Sequence, residues 1–591
     1  MIRDRMIVKR DPGFNDPSKL PHRAGRVPNG AVSLNLGRVL IISCASVLPH
    51  YATRPRSPAM QTCKRKQAVV TKLAASALSL FVLFLLAGWT PKVPSSADSS
   101  AAELTGHVRF LSSDELMGRG VDTAGIQQAR DYIGEQFKKY GLLPGGDGAT
   151  YFQGVEVVTG AKLKEGSELT IADLRLIPDR QWAPLGFSAS GKADGELVFV
   201  GYGITAEDYG YDDYAGADVK GKIAVVLRYE PPPKNDRSPF RKHPKYSRHA
   251  ALRTKADTAR QHGAVGMILV DHHSAEEGEK QLIPLRRTLG RSDLGLVVAQ
   301  ITREVLDKAL AEKGISLGAL KEKIDRDERP ASVPLGLRAS LEVQIEKVTG
   351  KGDNVIGVLP GAAPLSQGEH IIIGAHYDHI GLGYYGTRDG STEGQIHHGA
   401  DDNASGTALL LLLAQKLSRR PDPLPVSVVF VAFTGEELGL YGSRRYVIRP
   451  ALSLRSAKIM INLDMVGRMK NNRLMVAGVD TAKEFRGILN QAGSALEVEM
   501  RPGVARSDHV SFYDNNISVL HFYTGVHEDY HRPTDTWEKL NVEGIEKISR
   551  VVLITVEKIA NDREPLTFVR LPSPSGMARP TPTSPPQAPN P

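Results

Sequence analysis

Four stretches decide how this chain folds: HIIIGAHYD (370–378), SGTALLLLLAQKLSRR (405–420), PVSVVFVAF (425–433) and AKIMINLDMV (457–466). Three are short apolar runs of strand length and composition, and the second is long enough for an apolar helix. Strands alternating with a helix predict an open α/β sheet with helices on both faces. A last helix is expected over VEGIEKISRVVLITVEKIA (542–560).

Upstream, AGIQQARDYIGEQFKKYGL (124–142) places Ala129, Ile133 and Phe137 at helical spacing and ends in Gly141. Residues 150–190 alternate as strands do. Between about 196 and 345 the pattern changes. ELVFVGYGI (196–204) and KIAVVLRYE (222–230) read as strands, and few helices are evident. This fits a small β-rich domain inserted into a larger one. The pair His272-His273 is its one temptation for chemistry and reads as a solvated loop.

The bulk composition is that of a globular protein, with 41% hydrophobic and 24% charged residues among 591. The net charge of +9 suggests nucleic acid at first sight. However, residues 1–100 hold 15 of the 75 basic and 4 of the 66 acidic residues, which leaves 60 and 62 beyond them. The folded region is therefore near neutral, and no nucleic-acid partner is expected. The excess surrounds a leader: Lys64, Arg65 and Lys66 precede an apolar run from Leu73 to Gly88. That pattern predicts a signal peptide starting near Met60, or an uncleaved anchor, and hence export. A membrane enters only if the anchor stays. Cys44 and Cys63 are the only cysteines and both precede the expected mature start, so any metal must be held by histidines and carboxylates.

The expected organisation is an extension over 1–59, leader and linker over 60–101, and a first part of the main domain over 102–190. The insert follows over 191–345, the catalytic part over 346–565, and a Pro-rich tail over 566–591.

Five motifs lie at or beyond the ends of the predicted elements, where an open α/β sheet collects ligands. GAHYDH delivers His376 to a strand end, with Asp378 two residues on to orient the imidazole. GADDNASG (399–406) precedes the apolar helix and reads equally as an N-cap or as a cation-binding loop. Glu436 and Glu437 follow a strand, in a solvated turn or beside a metal that relieves their repulsion. Asp464 ends a strand; an ion pair with Arg468 is the alternative to metal binding. His531 sits in YHRPTDT (530–536) ahead of the last helix. Singly each is ordinary. Together, two histidines and three carboxylates suit two zinc ions with one carboxylate bridging.

The order HYD, GADDNASG, GEE, NLD, YHRPTDT resembles the co-catalytic zinc aminopeptidases of metallopeptidase family 28. The segment VFVGYGI…DYAGADVKGKIAVV…GAVGMILV resembles a protease-associated domain, and HVRFLSSDELMGRG with YIGEQFKKYGLLPGG is similar to the family's leading segment. The resemblance covers most of 103–562 and implies the zinc exopeptidase fold, an open mixed β-sheet flanked by helices. It implies that His376, Asp402 and Asp464 bind one Zn2+ and that Asp402, Glu437 and His531 bind the other. Asp401 then stands behind the bridge, Glu436 is the general base, and hydroxide bound by the zinc pair attacks the peptide. The oxyanion falls to Tyr530 or to His509, because Val504 stands where one branch of the family has a tyrosine. The implied activity is an aminopeptidase acting on peptides. A carboxypeptidase or dipeptidase, for which Arg388 or Arg506 could bind a carboxylate, a single-zinc cyclotransferase and a non-catalytic receptor are its rivals.

Overall fold

The computed structural model describes residues 96–235, 237–241, 246–271, 282–288, 293–365, 368–504 and 506–572. The leader, the extension before it, His272-His273 and the tail from 573 lie outside these residues. Among the described residues no helix is long and apolar enough to cross a membrane.

The main sheet has nine strands: β1 (Leu143–Pro144), β2 (Phe152–Leu163), β3 (Ile345–Leu359), β4 (His370–His376), β5 (Ser427–Phe433), β6 (Ala457–Leu463), β7 (Arg473–Ala477), β8 (Glu497–Arg501) and β9 (Val519–Tyr523). Their spatial order is β1-β3-β5-β4-β6-β9-β7-β8, with β2 also paired to β3. Strands β5, β4, β6 and β9 run parallel at the centre, while β3 and β7 join antiparallel, so the sheet is mixed. The central strands are buried on both faces, as their unbroken apolar sequences require.

Alternation within each strand supplies two cores. Ile371, Ile373, Phe430, Ile459 and Ile461 face one way, onto helices α1 (Ser96–Leu111), α2 (Gly125–Lys139), α3 (Gly406–Ser418) and α4 (Val542–Asn561). Ile372, Val429, Val431 and Met460 face the other way, onto Tyr446, Phe512 and Tyr513. Helix α3 is apolar on every side because α1, α2, α4 and the sheet all pack against it. Helix α1 corrects the linker expected to run as far as residue 101: the chain is already helical from Ser96. Leu104, Val108 and Leu111, at spacings of four and three, bury one face and draw the preceding alanines into the same helix.

The insert leaves after β2 and returns before β3. Its eight-stranded sheet runs Leu174–Arg175, Glu168–Ile171, Val333–Val343, Gly191–Phe199, Ile223–Leu227, Gly266–Val270, Val297–Ile301, Trp182–Pro184. Three of these strands precede residue 191, so the expected boundary falls inside the insert's sheet. The alternating pattern that runs through 150–190 crosses from one sheet to the other without a composition change to mark the passage. Three helices, Leu252–Gln261, Arg303–Ala311 and Leu317–Asp327, also belong to the insert; the first two fall where KADTARQHG and ITREVLDKALAEKG read as helix, and the third is added by the structure.

Candidate metal centre

The centre lies at the carboxyl ends of the parallel strands. His376 is the last residue of β4, and Asp464 follows β6 directly. Glu436 and Glu437 follow β5 across one turn. Asp402 lies in the turn Ala400–Ser405 before α3, and His531 in the loop ahead of α4.

Asn403 explains why the turn before α3 both caps and exposes. Its Oδ1 accepts from Gly406 and Met465 N–H, and its Nδ2 donates to the carbonyls of His376 and Leu463. One amide thus caps the helix and ties the ends of β4 and β6 together, leaving Asp402 free to face the centre. Asp401 turns away. It accepts from Ser405 Oγ and Gly467 N–H and lies 3.2 Å from His527 Nε2.

Asp402 divides its two oxygens. Oδ1 lies 3.4 Å from His376 Nε2, which is 3.2 Å from Asp464 Oδ1. Oδ2 lies 3.2 Å from His531 Nε2, which is 3.1 Å from Glu437 Oε2. Ligands about 2.05 Å from a tetrahedral cation are separated by about 3.3 Å, so both clusters have the spacing of coordination edges. The residues present therefore fit two divalent cations that share Asp402.

The structure brings together His376, Asp402, Glu437, Asp464 and His531, and adds His379, the second histidine of GAHYDH. His379 Nδ1 lies within ligand reach of Asp402, Glu437 and His531. It is only 2.7 Å from Glu437 Oε1, however, and 3.9 Å from Asp402 Oδ2. The first distance is a hydrogen bond and is too short for a coordination edge, so His379 holds Glu437 with Oε2 toward His531. The signal available in sequence was a second histidine three residues beyond the first.

Outer partners fix the remaining donors. His531 Nδ1 donates to Gly386 O at 2.7 Å, which leaves Nε2 for the centre. For His376 the nearest acceptor at Nδ1 is the backbone carbonyl of Asp378, at 3.1 Å. This corrects the orienting role expected of the Asp378 carboxylate, which lies 3.8 Å away. That carboxylate instead accepts from the N–H groups of Glu436 and Glu437, and burial pushes it up to about 7. Ser507 Oγ donates to Asp464 Oδ2. Arg468 pairs with Asp535 and Asp529 and not with Asp464, so the ion-pair alternative for Asp464 does not hold.

Arg119 is a second residue that sequence reading passed over. Wholly buried, it donates to the carbonyls of Tyr377, His398 and Gly399, as well as to Leu111. It thereby ties the leading segment to the end of β4 and to the turn that carries Asp402. A buried guanidinium among four carbonyls was signalled in sequence only by an arginine between two glycines.

The electrostatics follow from this crowding. Burial alone would lower His376 and His531, but Asp464 and Asp402 hold the first, and Glu437 and Asp402 the second, well above the ordinary histidine range. Against the same burial, His531 and His379 hold Glu437 down to about 2. Glu436 is pushed well above the usual carboxylate range by burial and by neighbouring acids, and its carboxylate makes no hydrogen bond among the described residues. Tyr530 stacks on His531 at 3.9 Å between ring centres. Burial and the surrounding carboxylates keep its phenol protonated. His509 is buried against His521 at 4.6 Å between ring centres, whereas Tyr530 stacks directly on His531, so of the two oxyanion candidates Tyr530 is the one beside the donors.

Residues 354–556, which hold the whole centre, match the model of peptidase family M28. They form a family M28 peptidase domain. Residues 193–307 match the PA domain, so the M28 domain carries a PA domain inserted between β2 and β3. The chain is 26% identical over 418 residues to the aminopeptidase YwaD of Bacillus subtilis, covering 66% of this chain and 76% of that one. It is 28% identical over 228 residues to a probable leucine aminopeptidase of Arthroderma otae, covering 36% of this chain and 58% of that one. Among solved structures it is similar to the aminopeptidase from Aneurinibacillus sp. strain AM-1, with 24% identity, a TM-score of 0.49, and coverage of 80% and 96% of the two chains. The protein is a peptidase, and its substrates are peptides.

Proposed function

We propose that the M28 domain is a zinc aminopeptidase, with His376, Asp402 and Asp464 holding one Zn2+ and Asp402, Glu437 and His531 the other. The observation that carries this reading is the division of the Asp402 oxygens between two histidine–carboxylate clusters. All donors are nitrogen or carboxylate oxygen, which suits zinc in a chain whose cysteines lie outside the site. The names of the relatives support release of amino-terminal residues.

When bound, the cations supply Lewis acidity toward the scissile carbonyl and acidify water. Glu436, half-buried and without a hydrogen bond among the described residues, takes a proton from the attacking water and returns it to the leaving amine. Its raised affinity for protons suits the second half of that exchange. The Tyr530 hydroxyl donates to the developing oxyanion. Asp378 holds the backbone of both glutamates, so base and ligand keep a fixed relation.

Hydrolysis of leucine arylamide tests the reading. Activity lost to a chelator, regained with zinc and absent on the N-acetylated substrate supports it. Cleavage of N-blocked peptides from the carboxyl end would replace it with a carboxypeptidase. On the strength of the leader over Lys64–Gly88, we also propose that the protein is exported. Amino-terminal sequencing of the chain recovered outside the cytoplasm checks this.

A further inference from the structure

Arg388 lies in the segment between the His376 and Asp402 motifs, and that segment is fastened to His531. Arg388 N–H donates to His531 O at 3.3 Å, two residues after Gly386 O receives His531 Nδ1–H. The Arg388 backbone is therefore fixed relative to a proposed metal ligand. Its guanidinium lies over the Tyr530 ring, with Cζ 4.6 Å from the ring centre. Tyr530 in turn stacks on His531, so the guanidinium stands no farther from the His531 ring than the two stacking distances together.

Among the described residues no carboxylate neutralises this group. Arg532 has Asp389, and Arg468 has Asp529 and Asp535. Arg388 makes no ion pair and no guanidinium hydrogen bond among the described residues, although it is exposed and Asp389 is its neighbour in sequence. Stacking occupies one face of a guanidinium and leaves its edge of N–H donors open, in the geometry that receives a carboxylate in bidentate fashion.

We propose that Arg388 reads a carboxylate on the substrate, and that the enzyme favours peptides carrying one close to the scissile bond. This rests on the aminopeptidase reading. A carboxylate one residue beyond the scissile carbonyl is displaced by roughly 3.5 Å along the chain, which keeps it within the span of the Arg388–Tyr530–His531 stack. Two sources offer this group: the carboxyl terminus of a dipeptide, and an acidic side chain on the residue after the scissile bond.

The test compares kcat/KM for Leu-Ala with Leu-Ala-amide, and for Leu-Asp-amide with Leu-Asn-amide, in the wild type, Arg388→Ala and Arg388→Lys. The wild type is expected to prefer the charged member of at least one pair, with the pair identifying the source. Arg388→Ala should shrink that preference about tenfold, mainly through KM, as expected when uniform binding is lost. Arg388→Lys should retain part of it. An unchanged ratio in Arg388→Ala overturns the proposal. An equal fall in kcat on charged and neutral members also overturns it, because Arg388 would then only steady Tyr530. If the wild type cleaves none of the four peptides but still binds zinc, the aminopeptidase reading fails, and this inference with it.

Discussion

Glu436 and Glu437 are adjacent, yet their surroundings separate them: two histidines hold Glu437 down to about 2, whereas burial pushes Glu436 up. The pair is thereby sorted into ligand and base. Glu436→Gln should lower kcat by about 10²–10⁴-fold with zinc content unchanged, measured by metal analysis beside initial rates. Loss of zinc in the same variant would make Glu436 a ligand. His379→Ala should weaken one of the two cations about 10–100-fold, the usual cost of removing an outer-sphere partner, while His531→Ala removes a donor outright. The raised affinity of His376 and His531 for protons gives binding a definite pH dependence. Cations must displace those protons, so uptake releases protons and affinity falls as pH drops. Calorimetry in two buffers of different ionisation enthalpy measures the release. At this scale the five donors were legible because each closes a strand or a loop. His379 and Arg119 were not, since their roles depend on contacts that span 58 residues to Glu437 and 280 to Gly399.

The elements explain why the site is rigid. Asn403 binds β4, β6 and α3 with one side chain, and Arg119 clamps the leading segment under the same turn. Glycine marks how close that approach is. A Cβ on Gly125, at the start of α2, would stand 1.7 Å from Leu116 O, and one on Gly118, at φ +67°, would stand 2.3 Å from His397 O. Gly125→Ala is therefore expected to destabilise the fold by about 1–3 kcal/mol, read by denaturant titration. Leu411→Ala in α3, surrounded by apolar residues on every side, should cost about 2–5 kcal/mol by the same measurement. The β4, β5, β6 and α3 pattern was readable because full burial leaves unbroken apolar runs. The start of α1 was not, since Ser96–Ala102 is polar or small and becomes helical by continuity with Leu104, Val108 and Leu111. The edge of the insert escaped notice too: strands at 168–184 carry the same alternation in either sheet, and pairing alone assigns them.

For the molecule as a whole, the centre gathers its donors from between His376 and His531, and its outer supports reach back to Arg119. Cations bound there tie together β4, β5, β6, the turn before α3 and the loop before α4. They should stabilise the native state by about 2.7 kcal/mol for each ion present at a hundredfold excess over its Kd, seen as a rise in Tm on adding zinc and reversed by a chelator. The PA domain stands outside this set, since none of the donors comes from residues 193–307. The most direct test is anomalous diffraction at the zinc absorption edge from crystals of the zinc-loaded protein. Two peaks about 3.5–4 Å apart, one beside His376 and the other beside His531, with one oxygen of Asp402 toward each, are predicted. A single peak, or two that do not share Asp402, would contradict the account.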